Sequence, residues 1–114
     1  MPPKAPLQPG EVLVKESRAN LQRGIESVGG HIYLTNRRLI FEPHKFNVQR
    51  RTAEIPLSDV ADTRKAWTKF LGVLPLAPWS IAVITTSGQQ HRIVCNKRDE
   101  WIDAIRAAAA PSPA

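Results

Sequence analysis

Gly30-His31-Ile32-Tyr33-Leu34-Thr35-Asn36-Arg37-Arg38-Leu39-Ile40-Phe41 sets two β-favouring runs back to back. His31 to Thr35 and Arg38 to Pro43 are dominated by aromatic and branched aliphatic side chains, which suit a pleated surface. Asn36 and Arg37 between them are the right length for a two-residue hairpin connection. Asn tolerates the left-handed backbone that such a turn requires, so the spacing predicts a tight antiparallel hairpin with Asn36 in that conformation.

Working outward, Glu11 to Ala19 reads as an extended opening segment, and Asn20 to Ser27 as a polar connection or an irregular continuation of it, punctuated by Gly29 and Gly30. Downstream, His44 to Arg51 is a polar, basic loop. Thr52 to Leu57 resumes as a short strand in which Pro56, lacking an N–H donor, belongs at an edge or a strand end. Ser58 and Asp59 turn the chain into a strand over Val60 to Trp67. From Thr68 to Trp79 the sequence is apolar but broken by Gly72, Pro75 and Pro78, which excludes a regular helix and predicts a loop. Ser80 to Thr86 and Gln89 to Cys95 form a second hairpin across Ser87-Gly88. Asn96, followed three residues later by Asp99, has the form of a helix cap. Trp101, Ile102, Ile105, Ala108 and Ala109 then fall on one helical face, with Trp101 as the plug over an apolar interior.

Short strands first and one helix last make a mainly β domain. Its 114 residues are enough for one core. Four prolines in Met1 to Pro9 and a small-residue run ending in two more at the C-terminus predict frayed tails, 1–9 and 109–114, around a folded body from Gly10 to Ala108. No stretch approaches the roughly 20 apolar residues of a bilayer span, and the N-terminus lacks an apolar leader, so a cytoplasmic protein is expected. Cys95 has no second cysteine to pair with and reads as a small buried hydrophobe. The net charge of +6, from sixteen basic and ten acidic residues, favours anionic partners without choosing among phospholipid, nucleic acid and acidic protein.

The Gly30 to Phe41 run resembles the signature of GRAM domains, in which a glycine precedes an apolar strand ending in Leu-Thr-Asn and a second strand ends in Leu-Ile-Phe. Ile55-Pro56-Leu57-Ser58-Asp59-Val60 is similar to the family's second hallmark. Ile84-Thr85-Thr86-Ser87-Gly88 with Ile93-Val94 is similar to its late hairpin, and Asn96-Lys97-Arg98-Asp99-Glu100-Trp101 resembles the start of its closing helix. The blocks stand in family order across nearly the whole chain. The resemblance implies a PH-like barrel of two near-orthogonal antiparallel sheets, about seven strands in all, capped by one C-terminal helix and used for binding.

Catalytic chemistry has no footing in the sequence. His31, His44 and His91 are the only histidines, no metal-ligand spacing accompanies them, and neither a phosphate-binding glycine loop nor a nucleophile elbow is present. No cofactor and no catalytic or metal-binding residue is assigned. The leading expectation is a binding module for a protein partner or for a second copy of itself, acting through the edge strand interrupted by Pro56 or through the apolar segment, whose aromatic anchors Trp67, Phe70 and Trp79 stand with Lys69, Leu71, Val73 and Leu74. The alternative is peripheral attachment to an anionic membrane, at the inner face, with the same segment inserting and Lys15, Arg18, Arg23, Lys45, Arg50 and Arg51 meeting headgroups. The PH-type phosphoinositide pattern is absent, because Arg23 is followed by Gly24 and Ile25. Nucleic-acid binding ranks third, since the charge suits it but no recognition motif does.

Overall fold

A computed structural model describes residues 6–23, 26–44, 52–70 and 74–110. In chain order these form β1 (Leu13–Arg23), β2 (Glu26–Thr35), β3 (Arg38–Pro43), β4 (Ala53–Pro56), a 3-10 turn (Leu57–Asp59), β5 (Val60–Phe70), β6 (Leu74–Thr85), β7 (Gln90–Cys95) and α1 (Arg98–Ala109). The mainly β composition with a closing helix is the one the sequence implies. All neighbouring strands are antiparallel, in the order β4-β3-β2-β1-β7-β6-β5.

The expected pair of sheets closing a barrel is therefore one hydrogen-bonded sheet, open, with β4 and β5 at its edges. Strand β1 is the cause. It pairs with β2 from Leu13 to Arg23 but with β7 only from Ala19 to Gln22, so it belongs to both halves and joins them in one ladder.

Alternation along the strands sends one set of side chains inward. Ala19 and Leu21 of β1, Val28, Ile32 and Leu34 of β2, Leu39 and Phe41 of β3, Ile55 of β4, Ile81 and Val83 of β6, and Ile93 and Cys95 of β7 form one cluster. Leu57 of the 3-10 turn joins it, as do Trp101, Ile102 and Ile105 of α1. Trp101 is 1% exposed, which makes it the plug that helical spacing predicts. Removing this surface from water is the main stabilising term.

Three local expectations are corrected, and one open alternative is decided. The β2–β3 connection does fall at Asn36 and Arg37, with Leu34 opposite Leu39, but Asn36 is not left-handed; among described non-glycine residues only Lys97 has positive φ, at 56°. The turn is held instead by Thr35, whose Oγ1 accepts both the Arg37 and the Arg38 N–H at 3.0 Å. Second, of the two readings of Asn20 to Ser27, the continued strand is the one found, for Asn20 to Arg23 and Glu26 to Ser27, because each of these residues has a partner across the β1–β2 ladder. Third, α1 is capped by Lys97 in the left-handed conformation, with no side-chain cap; Asn96 lies one residue too early to cap it. The sharp turn out of β7 is made by the backbone at Lys97, and Asp99 and Glu100 still complement the positive end of the helix. Fourth, the segment read as a loop from Thr68 to Trp79 carries most of a hairpin. β5 runs to Phe70 and β6 starts at Leu74, with Phe70 opposite Leu74, Lys69 opposite Pro75 and Thr68 opposite Ala77. The prolines are accommodated by register shifts on either side of Thr68. The second hairpin turns at Ser87-Gly88 as expected, with Gly88 at φ 89°.

Candidate functional site

The residues that decide the fold build a structural knot. Glu11, whose side chain is fully buried, accepts from Arg38 Nε (2.8 Å) and Thr35 Oγ1 (2.7 Å) through Oε2, and from Arg38 Nη2 (3.0 Å) and the Gln8 N–H (2.8 Å) through Oε1. Arg38 also donates to the Pro6 carbonyl at 2.9 Å and pairs with Glu54 at 3.1 Å. The Asn36 side chain accepts the Val12 N–H and donates to the Gly10 carbonyl. The Arg38 guanidinium, aided by Gln8 and Thr35, holds the Glu11 carboxyl down at about 2, against the opposing pull of burial. Every acceptor of this carboxylate is occupied by the chain itself, so it staples the N-terminal segment to the first hairpin and is not open to a ligand.

The basic residues proposed for headgroup contact do not converge. Lys15 shares the parity of the buried Ala19 and Leu21, and its Nζ lies 5.5 Å from the centre of the Trp101 ring, on the helix side of the sheet. Arg18 has the opposite parity, is exposed, and stands across from His31. Lys15 and Arg18 thus occupy opposite faces of β1. Arg23 ends β1. Lys45, Arg50 and Arg51 lie outside the described residues. Of the apolar set, Trp67, Lys69 and Phe70 take places in β5 and Leu74 and Trp79 in β6, while Leu71 and Val73 lie outside the described residues.

What the fold does assemble is a groove between the edge strand β5 and α1. One stretch, about 640 Å³, is lined by Arg64, Lys65, Asp99, Ile102, Asp103 and Arg106. A second, about 420 Å³, continues past Arg106 along Val60, Ala61, Asp62, Thr63, Ala109 and Ala110. Ile102, 5% exposed, gives an apolar floor. The walls are charged: Lys65 meets Asp99 at 3.3 Å and Arg64 meets Asp62 at 2.7 Å. Arg106 Nε donates to the Thr63 carbonyl at 2.9 Å. The Arg64 guanidinium and the Thr63 N–H keep the Asp62 carboxyl below its ordinary value. Thr63 is fully buried, and its Oγ1 has no hydrogen-bond partner among the described residues.

None of Thr63, Arg64, Lys65, Asp99, Asp103 and Arg106 is among the site residues read from the sequence. A signal was present: Asp99, Asp103 and Arg106, spaced i, i+4, i+7, form a charged stripe beside the apolar stripe of α1. That this stripe faces β5 depends on how the helix lies on the sheet.

The remaining chemistry is sparse. His31 stacks on Tyr33 at 5.7 Å and meets the edge of His44 at 6.0 Å. Burial depresses the His91 imidazole and pushes the Cys95 thiol up to about 11, so Cys95 is the buried hydrophobe expected of it. Among the described residues no three His, Cys, Asp or Glu side chains gather as metal ligands, and no helix is long and apolar enough to cross a membrane.

An open antiparallel sheet closed by a C-terminal helix, with the Leu-Thr-Asn turn joining β2 to β3, accords with the match of the GRAM domain family to residues 2–97. The chain belongs to the GRAM domain family. Solved structures place this GRAM domain among PH-like folds. The C-terminal domain of an unknown protein from Leishmania infantum is 18% identical, with a TM-score of 0.68 over 89% of this chain and 86% of that one. The Vps36 N-terminal PH domain is 19% identical, with a TM-score of 0.64 over 90% and 82%. The linker-DH/PH region of p115-RhoGEF is 18% identical, with a TM-score of 0.69 over 90% of this chain but 31% of that one. At these identities the likeness is one of fold. Among curated proteins no match is found.

Proposed function

We infer that this GRAM domain is a non-catalytic binding module whose ligand is a protein. The observation that carries this reading is the groove between β5 and α1, where an apolar floor at Ile102 is rimmed by charged side chains. An apolar centre with a polar rim is the anatomy of a recognition surface. Among the structural neighbours, a DH/PH fragment of PDZRhoGEF has been crystallised with human RhoA, so the fold is compatible with protein complexes. The test is a photo-crosslinking residue placed at Asp103, with a control at Arg18, used in cells alongside sedimentation of the pure protein with neutral, anionic and phosphoinositide-containing vesicles. Crosslinks to protein from Asp103 alone, without vesicle binding, are expected. Vesicle binding with no crosslink at Asp103 refutes the reading.

Attachment to an anionic lipid surface is the second reading. It rests on the net charge of +6 and on Lys15 and Arg98, which both lie near enough to Cys95 to oppose the upward push of burial on its thiol. The split of Lys15 and Arg18 between two faces of β1 weighs against it, because one phosphate cannot take both. Self-association is read from light scattering on the same samples.

A further inference from the structure

We propose that the β5 edge accepts an acidic, extended segment of a partner protein as an added strand, lying in the groove beside α1 and displacing Arg106 and Asp62 from the backbone of Thr63. The proposal rests on the protein-binding reading above and names the mode of that binding.

The argument starts from the ladder. β5 pairs with β6 on one side only, and Thr63 stands opposite Val83. The Thr63 carbonyl accepts from Arg106 and its N–H donates to Asp62 Oδ1 at 2.8 Å. Both backbone groups of Thr63 therefore face away from β6. In an antiparallel ladder outward-facing residues alternate, so the N–H and C=O of Lys65 face the same free edge. At Thr63 two side chains do what a neighbouring strand would do, with a guanidinium standing for the incoming N–H and a carboxylate for the incoming C=O. At Lys65 no described residue does so. The free edge thus has one latched position and one open position, side by side in the groove.

The latch is removable. Asp62 retains Arg64 when it releases the Thr63 N–H. Arg106 is exposed, and once displaced its guanidinium needs an anion. A carboxylate on the entering segment supplies it, while the segment's own N–H and C=O take over the Thr63 backbone. An apolar side chain on the same segment covers Ile102. The buried Thr63 Oγ1, which has no hydrogen-bond partner among the described residues, is an unfilled polar position of the kind a bound chain or its water satisfies. The charges along the groove balance, Arg64, Lys65 and Arg106 against Asp62, Asp99 and Asp103, so the preference for an acidic segment comes from the displaced Arg106 and from the +6 of the whole chain. The same charge sets one copy of this chain against another and disfavours β5 pairing with itself. The opposite edge is a poorer template: β4 has four residues and ends at Pro56, which has no N–H to give.

The experiment is selection of short random peptides displayed against the whole protein, followed by amide NMR of the complex with a synthetic copy of the enriched sequence and with the same peptide N-methylated at alternate residues. Enrichment of alternating acidic and apolar residues is expected, with exchange protection appearing at the Thr63 and Lys65 amides. N-methylation is expected to weaken binding by about tenfold or more, since it removes backbone donors without touching side-chain charge. Arg106→Glu is expected to weaken it comparably, with its melting curve checked against the wild type. The N-methyl arm needs no protein variant and so stands even if Arg106→Glu folds poorly. No enrichment, equal binding of the N-methylated peptide, or protection at β4 in place of β5 overturns strand addition at β5 and shows the latch to be edge protection only. Crosslinking from Asp103 with no peptide response would leave protein binding standing while removing this mode.

Discussion

Replacing Glu11 with Gln probes the knot that holds the N-terminal segment to the first hairpin. The wild-type carboxylate takes four donors from Arg38, Thr35 and Gln8 on two oxygens, in a site without solvent. Gln keeps the shape but offers one oxygen. Its NH2 must face either the Arg38 Nε and Thr35 pair or the Arg38 Nη2 and Gln8 pair, so two donors lose their acceptor, and of the two carboxylates paired with Arg38 only Glu54 is left. Breaking one side of a buried ion pair costs about 3 kcal/mol or more. Linkage gives the same scale independently: a carboxyl held at about 2 rather than its ordinary 4.5 contributes about 3 kcal/mol at neutral pH. The sign follows from the lowered value. The stabilisation is complete above the unfolded-state value and is lost as pH falls through about 2. Urea unfolding of wild type and Glu11→Gln at a series of pH values is the assay. The gap between them is expected to be about 3 kcal/mol at pH 7 and to shrink steadily below pH 4.5. A gap under about 1 kcal/mol at pH 7, or one that does not change with acid, refutes the account.

Other outcomes follow from the same packing. Trp101→Ala and Phe41→Ala are each expected to cost about 3–5 kcal/mol in thermal or urea unfolding, the range for emptying a large buried aromatic position. Gly30→Ala places a Cβ onto the Glu42 carbonyl and within 2.8 Å of Phe41 Cζ and Pro43 Cα, so it is expected to destabilise by about 1–3 kcal/mol or to open the β2–β3 ladder there, read by amide exchange. Lys97→Gly relieves a left-handed non-glycine cap and is expected to raise stability by up to about 1 kcal/mol in the same unfolding assay. Cys95, buried with its thiol raised to about 11, is expected to react with a thiol reagent only as fast as the protein unfolds.

Much of this molecule is written locally. The runs around Asn36 and around Ser87-Gly88 alternate into a core face and turn where their polar residues lie, because hairpin pairing involves neighbours in sequence. The apolar stripe of α1 is legible for the same reason, as a period of one helix. Errors arose where backbone geometry overrode residue preference. Asn36 spends its side chain on Gly10 and Val12 and leaves the turn to Thr35. Lys97 takes the cap from Asn96. The Pro75 and Pro78 region extends a strand because β5 is there to pair with it.

The sequence alone determined a mainly β domain closed by one amphipathic helix, with Trp101 inside. Those properties depend on periodicity and residue type, which the chain states one element at a time. Only the tertiary structure decided that the sheet stays open, that Lys15 and Arg18 part to opposite faces, and that Arg106 reaches the backbone of Thr63 across 43 residues of sequence. Edges and grooves are properties of how elements lie against one another, and no single element carries them.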